Sequence, residues 1–156
     1  MANTFTQLYV QLVFAVKGRQ SLIAKEHRER IQQYIAGIIS KRNQKLLAIY
    51  CMPDHTHIFI GFKPTLAISD LVRDIKTQSS SFIREQRLTP FRFEWQEGYG
   101  AFISFTYAQS QVEVVCNYVR NQEEHHRKRT FKEEYLEFLE KFNVEFEEKY
   151  LFDWLE

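Results

Sequence analysis

Apolar and polar positions divide the chain into runs that alternate between strand-like and helix-like spacing. Residues 5–17 are densely apolar and rich in β-branched and aromatic side chains, which is typical of a buried strand, and Gly18 ends the run. Residues 21–41 carry apolar side chains at helical spacing, which predicts an amphipathic helix. Residues 45–52 and 55–62 predict two more strands, separated by a turn at Pro53 and Asp54.

The second half of the chain continues this alternation. Residues 68–86 predict a helix, and the runs 91–96 and 101–107 predict a fourth strand that a loop or bulge interrupts at 97–100. The capping signature of Ser110 with Glu113 opens a third helix that extends to about residue 127, and Thr130 with Glu133 opens a fourth. This order predicts an α+β fold of the ferredoxin-like βαββαβ type, with helices on one face of an antiparallel sheet and an extra C-terminal helix.

Length and composition narrow the class of protein. We predict one domain over residues 1–156, because 156 residues with 44% hydrophobic and 26% charged positions fit one folded domain and exclude a disordered chain. Cys51 and Cys116 are too few for a disulfide framework and fit a reducing compartment. We see no signal peptide and no membrane-spanning run, so we expect a cytoplasmic protein without a membrane partner.

Charge is unevenly distributed along the chain. The net charge of +1 combines a net of +8 over residues 1–132 with a net of −7 over residues 133–156. A basic body suits a polyanionic ligand such as nucleic acid. The acidic C-terminal extension, from about residue 130 to 156, is equally typical of a solvated terminal helix.

The sequence PDHTHIFI carries the sharpest local chemical signal. Alternation along a strand places His55 and His57 on the same face, while Thr56 and Ile58 point the other way. Two neighbouring imidazoles can ligate one divalent metal ion. Taken alone, the pair also fits two structural histidines. We interpret Asp54 as the turn residue, with a hydrogen bond to His55 as the alternative.

A second signal lies on the predicted third helix. Tyr118 and Gln122 are four residues apart and therefore share a helix face, which His125 extends. Tyr118 is a candidate nucleophile and Gln122 a candidate oxygen ligand for a hard metal. The alternatives are a core tyrosine and a surface glutamine. His125 and His126 either line the same site or stabilise the helix end.

Together the two signals suit phosphodiester chemistry. An oxygen nucleophile attacks the phosphorus in line, and a metal ion offsets the charge that develops on the phosphate. Basic side chains around the same helix are candidate contacts for flanking DNA phosphates: Arg120, Arg127, Lys128 and Arg129. Lys76 on the second helix is a further candidate DNA contact, although a solvated lysine is the alternative.

Five segments in order give the chain a family resemblance. They are LVFAVKGRQ, MPDHTHIFI, IKTQSSSFI, FEWQEGYGAFISF and NYVRNQEEHH, and they extend over almost the whole chain. The chain resembles the single-tyrosine HUH transposases of small bacterial and archaeal insertion sequences, including repeat-associated tyrosine transposases. One departure is Thr56, where the middle residue of the HUH motif is usually a bulky hydrophobe; we expect a tolerated variation in the core.

The resemblance implies a role for each matching residue. His55, His57 and Gln122 match the metal ligands, with Mg²⁺ or Mn²⁺ as the cofactor, and Tyr118 matches the nucleophile. Relatives act on single-stranded DNA, recognise hairpins near the element ends, and form a 5′-phosphotyrosine intermediate that frees a 3′-OH. They are commonly homodimers in which the tyrosine helix of one subunit completes the partner's site.

Two other functions remain open at this point. One is a non-catalytic RNA- or DNA-binding module, which would need exposed aromatic side chains on the sheet and would have no use for Tyr118 and Gln122. The other is a domesticated transposase that keeps hairpin binding without cleavage.

Overall fold

The computed structural model describes residues 8–19, 22–104 and 109–141 of the chain. The described residues hold a short 3-10 helix at Lys17–Arg19 and nine α-helices and β-strands, in chain order β1 (Leu8–Ala15), α1 (Lys25–Lys41), β2 (Lys45–Cys51), β3 (His55–Phe62), α2 (Ile68–Glu85), β4 (Gly100–Ser104), α3 (Gln109–Arg120), α4 (Gln122–His126) and α5 (Phe131–Lys141). The predicted features at residues 5–7, 20–21, 105–108 and 142–156, including most of the acidic extension, lie outside the described residues.

The strands form one antiparallel sheet with the order β2-β3-β1-β4. The pairing of β1 with β3 sets Ala15 opposite His55 and Val13 opposite His57. This order, with helices after β1 and β3, confirms the predicted α+β fold of the βαββαβ type. It places the histidine strand in the interior of the sheet.

One face of the sheet, here called the first face, carries the main apolar core. Leu12 and Phe14 of β1 and Ile58 of β3 are fully buried there. Helices α1 and α2 cover them with apolar side chains, among them Ile35 of α1 and others on both helices: Ile31, Ile38, Ile39, Leu71, Val72, Ile75 and Ile83. The helical spacing of these positions in the sequence explains why each helix buries a continuous stripe.

The opposite face, here called the second face, is covered in part by the helices that follow β4, so helices lie on both faces of the sheet rather than on the one face predicted. Val112, Cys116 and Val119 of α3 pack on Phe59 and Ala48. A separate cluster joins α5 to β1 and β4: Phe131, Tyr135 and Leu139 pack on Val13, Ala15 and Phe102. Between these two small clusters lie the histidines of β3.

Three element boundaries differ from the sequence prediction or refine it. Helix α1 begins at Lys25 rather than Ser21: Leu22 and Ile23 are buried ahead of it, the Ile23 N–H donates to Pro53 O at 3.0 Å, and Ala24 has extended backbone at φ −77° and ψ 150°. The long third helix is divided at Asn121, whose backbone leaves helical geometry at φ −99° and ψ 31°. The predicted fourth strand is confirmed only in its second half: residues 91–96 form no strand apart from an isolated bridge of Trp95 to Val16, and β4 begins at Gly100.

The capping signature at Thr130 is confirmed in part. The backbone N–H of Glu133 donates to Thr130 Oγ1 at 3.1 Å, at the start of α5.

In the described part of the chain, no helix combines the length and apolar character needed to cross a bilayer.

Candidate metal centre and nucleophile

His55 and His57 project from the second face of β3, as the alternation of the strand predicts. Their rings lie 5.1 Å apart between centroids, and both side chains are almost fully buried. Thr56 and Ile58 point to the first face and are also fully buried. The strand therefore brings the two imidazoles together by local geometry alone.

A carboxylate next to His55 sets which ring nitrogen is available. His55 Nδ1 lies 2.6 Å from Asp54 Oδ1, so Asp54 does more than form the turn. With the proton on Nδ1, Nε2 carries a lone pair, and it has no hydrogen-bond partner among the described residues. Burial lowers the pKa of His55 to about 4, although the Asp54 hydrogen bond opposes this shift. His55 is therefore a neutral potential ligand at pH 7.

Two side chains from beyond the histidine strand complete a compact polar cluster. His57 Nε2 lies 2.9 Å from Glu134 Oε1, without the alignment of a hydrogen bond. His126 Nε2 lies 3.6 Å from the same oxygen, and its Nδ1 lies 3.1 Å from Arg129 O. The ligand atoms of His55, His57, His126 and Glu134 all lie within 4.8 Å of one another.

Tyr118 and Gln122 reach this cluster within the same chain. The Tyr118 hydroxyl donates a short hydrogen bond to Glu134 Oε2, and its ring lies 6.2 Å from that of His57. Gln122 is fully buried: its amide N–H donates to Tyr118 O at 3.1 Å, and its Oε1 lies 3.1 Å from His126 Nε2. Gln122 is therefore not a surface residue, whereas Tyr118 also packs against the small cluster of α3, as the alternative of a core tyrosine requires.

Burial and charge set the protonation of the Tyr118–Glu134 pair. Burial raises the pKa of Tyr118, and the negative charge of Glu134 raises it further. Burial also acts to raise the pKa of Glu134, but attraction to His57 and hydrogen bonds from neighbouring side chains hold that pKa well below its usual range. In this arrangement Glu134 is ionised and Tyr118 keeps its proton at neutral pH.

The cluster fits a divalent cation. Imidazole nitrogens, a carboxylate oxygen and the amide oxygen of Gln122 are all donors that Mn²⁺ and similar ions accept. His55 Nε2, both nitrogens of His57 and Glu134 Oε1 lack hydrogen-bond partners in the described structure. Buried polar atoms seldom lack hydrogen bonds, and one ligand atom from each of His55, His57, His126 and Glu134 lies within 4.8 Å of the others, so a bound cation would satisfy the group.

The predicted DNA-contacting side chains separate into two groups. Arg120, Arg127, Lys128 and Arg129 lie exposed near the end of α3 and beyond α4, on the side of the cluster. Of these, Arg127 pairs with Glu124 and Arg129 with Glu137, while Arg120 donates to Leu47 O.

Lys76 stands apart from this group. It lies on α2, which covers the first face, and its Nζ donates to Gln96 O and Gly98 O at 2.8 and 2.6 Å. It lines a groove of about 850 Å³ that contains none of the cluster residues. Burial lowers the pKa of Lys76 to about 8. The structure therefore does not bring Lys76 to the metal centre.

Sequence reasoning missed Glu134 and left the place of His126 open. Glu134 lies on the buried side of α5, between Phe131 and Tyr135, and is only 3% exposed. An acidic residue within an apolar helical stripe is the signal that could have identified it, because buried carboxylates are rare unless they are paired. That Glu134 contacts Tyr118 and His57 could not have been predicted from the sequence.

The comparisons with known proteins agree on one family. The family model described as "Transposase IS200 like" matches residues 4–122. The chain is similar to the ISDra2 transposase TnpA of Deinococcus radiodurans, with 27% identity over 74 residues that span 47% of this chain and 53% of the relative. The chain spans about half the length of the curated relatives it matches.

Two solved structures share the fold. A putative transposase from Deinococcus radiodurans superposes with a TM-score of 0.60 and 21% identity, covering 78% of this chain and 95% of the other. A structure described as a REP-associated tyrosine transposase bound to a REP hairpin has a TM-score of 0.55 and 14% identity, covering 81% of this chain and 73% of the other. The family match ends at residue 122, so α5 lies beyond it.

Proposed function

Because the chain belongs to the IS200-like transposase family, we propose that it cleaves and rejoins single-stranded DNA at hairpin-marked ends through a 5′-phosphotyrosine on Tyr118. The observation that carries this proposal is the meeting of Tyr118, the His55–His57 pair and Gln122 in one buried cluster. A purely structural role for these side chains would not explain why a tyrosine lies beside a histidine pair. It would also leave buried ring nitrogens without hydrogen bonds, which is rare in folded proteins.

Each residue takes a distinct role in the proposed reaction. His55, His57 and Gln122 hold Mg²⁺ or Mn²⁺, and a bound cation of this kind offsets negative charge on the scissile phosphate and orients it. Tyr118 Oη forms a bond to phosphorus as the bond to the 3′-oxygen breaks, and the tyrosine proton leaves while the 3′-oxygen gains one. Attack by a 3′-OH on the phosphotyrosine reverses these changes and restores Tyr118.

The substrate is proposed from charge and from one relative. Arg120, Arg127, Lys128 and Arg129 form a basic region beside the cluster that suits DNA phosphates. The REP-associated transposase with this fold was solved bound to a REP hairpin, which supports a hairpin substrate for this chain as well. Lys76 would contact DNA only if the bound DNA strand extends around the protein to the first face of the sheet, which α2 covers.

Assembly and setting belong to the same proposal. We propose that residues 1–156 act as one domain in the cytoplasm and form a homodimer, with the tyrosine helix of one subunit completing the partner's site. In the single chain, Tyr118 reaches the cluster of its own subunit. In the proposed dimer, α3 of each subunit would take the place that α3 of the partner occupies in the single chain. Light scattering at tens of micromolar should give twice the mass of one chain, and a monomer mass would rule out this assembly.

A covalent adduct distinguishes cleavage from binding alone. The protein is incubated with fluorescent single-stranded hairpin oligonucleotides and Mn²⁺ and then separated on a denaturing gel. We expect an adduct that disappears with EDTA and in the His55→Ala/His57→Ala double variant, while His27→Ala keeps it. A native gel shift without adduct under every condition would instead support the non-catalytic nucleic-acid-binding alternative.

A further inference from the structure

One arginine of α1 connects the strand side and the helix side of the candidate site. Arg28 lies in the first turn of α1, three residues ahead of the buried Ile31, and its side chain is only 13% exposed. Its Nη1 donates to the Tyr50 hydroxyl at 2.5 Å and to Glu123 Oε1 at 2.9 Å. The side chain thus extends from the first face, past the edge strand β2, to the second face.

Both acceptors of Arg28 are neighbours of side chains in the site. Tyr50 pairs with His57 across β2 and β3, so these two side chains lie next to each other on the second face. Glu123 follows Gln122 directly in α4. One guanidinium therefore relates the position of the histidine strand to that of the glutamine.

The position of Arg28 is itself fixed by the end of β2. Its Nε donates to Cys51 O at 2.7 Å, and the Cys51 N–H donates to Gln32 Oε1 at 2.9 Å. Both backbone groups of the last residue of β2 are thus bonded to α1. The guanidinium carbon also lies 4.6 Å from the centre of the Tyr50 ring. Arg28 is therefore a rigid support for α4.

Burial of the guanidinium makes this contact stronger than a surface ion pair. Exposed pairs contribute little, whereas charge-assisted hydrogen bonds of a buried group contribute more. Arg28 Nη2 is also buried and has no hydrogen-bond partner in the described structure. Although Glu123 is 37% exposed, its carboxylate offsets the charge of Arg28, and its loss would leave a buried charge without compensation.

Helical hydrogen bonds carry the hold on α4 back to α3. The Asn121 N–H donates to Asn117 O at 3.0 Å, and the His125 N–H donates to Asn121 O at 3.2 Å, so the bond pattern continues across the bend. Tyr118 lies one turn before Gln122. A contact that fixes Glu123 therefore also restrains Tyr118.

We propose that Arg28 is a positioning residue, which holds α3 and α4 on the sheet through Glu123 and so places Tyr118 and Gln122 beside the histidine pair. This inference rests on the proposed function for the roles of Tyr118 and Gln122, but the docking contact is a property of the chain alone. The proposed exchange of α3 between subunits would have to break this contact and form it again across the dimer.

Two native cysteines report the docking without DNA or metal. Cys116 of α3 packs on β2, with its Sγ 3.8 Å from Leu47 O, whereas Cys51 lies in the main core. N-ethylmaleimide labelling in EDTA is followed at each cysteine by peptide mass spectrometry. We expect Cys116 to react about tenfold faster in Glu123→Gln than in the unaltered protein, with Cys51 unchanged, because only α3 and α4 are loosened.

The control and the partner variant test whether Arg28 and Glu123 act as a pair. Glu124→Gln removes the next carboxylate of α4, which pairs with the exposed Arg127, and should leave Cys116 unchanged. Arg28→Gln should accelerate Cys116 at least as much as Glu123→Gln, and the double variant should add little. An unchanged Cys116 rate in Glu123→Gln, or equal acceleration of both cysteines, would overturn the positioning role, because a purely structural contact would loosen the core as well.

Mn²⁺ affinity, measured by isothermal titration, tests the consequence for the site. Glu123→Gln should bind Mn²⁺ several-fold more weakly, towards the affinity of Gln122→Ala, while Glu124→Gln binds normally. Full Mn²⁺ affinity in Glu123→Gln, with Gln122→Ala weakened, would overturn the placing of Gln122 by Arg28. If Gln122→Ala itself binds normally, the proposed metal ligand fails, and the cysteine result still decides whether Arg28 holds the helices.

Discussion

The two faces of the sheet use the same strands for different purposes. On the first face, Leu12, Phe14 and Ile58 join α1 and α2 in one continuous apolar core. On the second face, the apolar contacts divide into two small clusters around buried His55 and His57. Alternation along β1 and β3 makes this separation possible, because neighbouring residues on one strand belong to different faces. A stable first face allows the second to carry buried polar groups that cost stability.

The largest contrast should appear when one phenylalanine is removed from each face. Phe14 is fully buried in the main core against Trp95, with ring centroids 4.8 Å apart, so Phe14→Ala should cost about 3–5 kcal/mol. Phe131→Ala should cost less, about 1–3 kcal/mol, because Phe131 belongs to a small cluster that is separate from the main core. Urea unfolding of both variants measures the difference, and equal losses would remove the distinction between the faces.

Acid should weaken the second face through His55. The pKa of His55 is lowered by burial to about 4, against about 6.5 in the unfolded chain. As the pH falls below about 6.5, the unfolded chain takes up the proton first, so stability present above that pH is lost between about 6.5 and 4, by roughly 3 kcal/mol in total. Urea unfolding in EDTA should show this loss in the unaltered protein and in His27→Asn. His55→Asn should lose less, and an identical pH profile would contradict the assignment.

A Gln122 variant tests whether a cation on the second face is bound by Gln122, which follows α3, as well as by the histidines of β3. Gln122→Ala should weaken Mn²⁺ binding by about tenfold, since one oxygen donor and a support of the cluster are lost. Gln33→Ala, on the exposed side of α1, is the control. Isothermal titration measures both, and an unchanged affinity in Gln122→Ala would exclude this side chain from the metal centre.

The smallest effect is expected from Lys76, on the first-face side. If Lys76 contacts one DNA phosphate, Lys76→Gln should lower the slope of log affinity against log salt by about one. With the pKa of Lys76 lowered to about 8, its positive charge is lost as the pH rises through 8, so the two proteins should behave alike near pH 9.5. Fluorescence anisotropy with hairpin DNA measures the slope, and equal slopes at pH 7 would exclude the contact.

Local geometry explains which parts of the structure could be predicted. The facing of His55 and His57 depends only on strand alternation, and the shared face of Tyr118 and Gln122 only on helical spacing, so both followed from the sequence. The late start of α1 could not be predicted, because Leu22 and Ile23 pack in the main core and Ile23 bonds to Pro53, thirty residues away.

Glu134 shows the same limit at the site itself. Its place on the buried stripe of α5 is visible in the sequence, but its contacts with Tyr118 and His57 bridge long separations in the chain. Only the docking of α5 on the sheet decides which buried group the carboxylate meets. The carboxylate of the cluster was therefore the group that periodicity could not assign.

Tyr118→Phe tests the central claim most directly, because it removes one oxygen atom and leaves the ring in place. Adduct formation with a single-stranded hairpin oligonucleotide and Mn²⁺ should fall by at least about a thousandfold, while hairpin binding and the circular dichroism spectrum stay unchanged. Tyr99→Phe, at a 37%-exposed tyrosine, should form adduct normally. Mass spectrometry of the unaltered protein should find the nucleotide on Tyr118; an adduct that persists in Tyr118→Phe, or that maps to Tyr99 or Tyr107, would contradict the account.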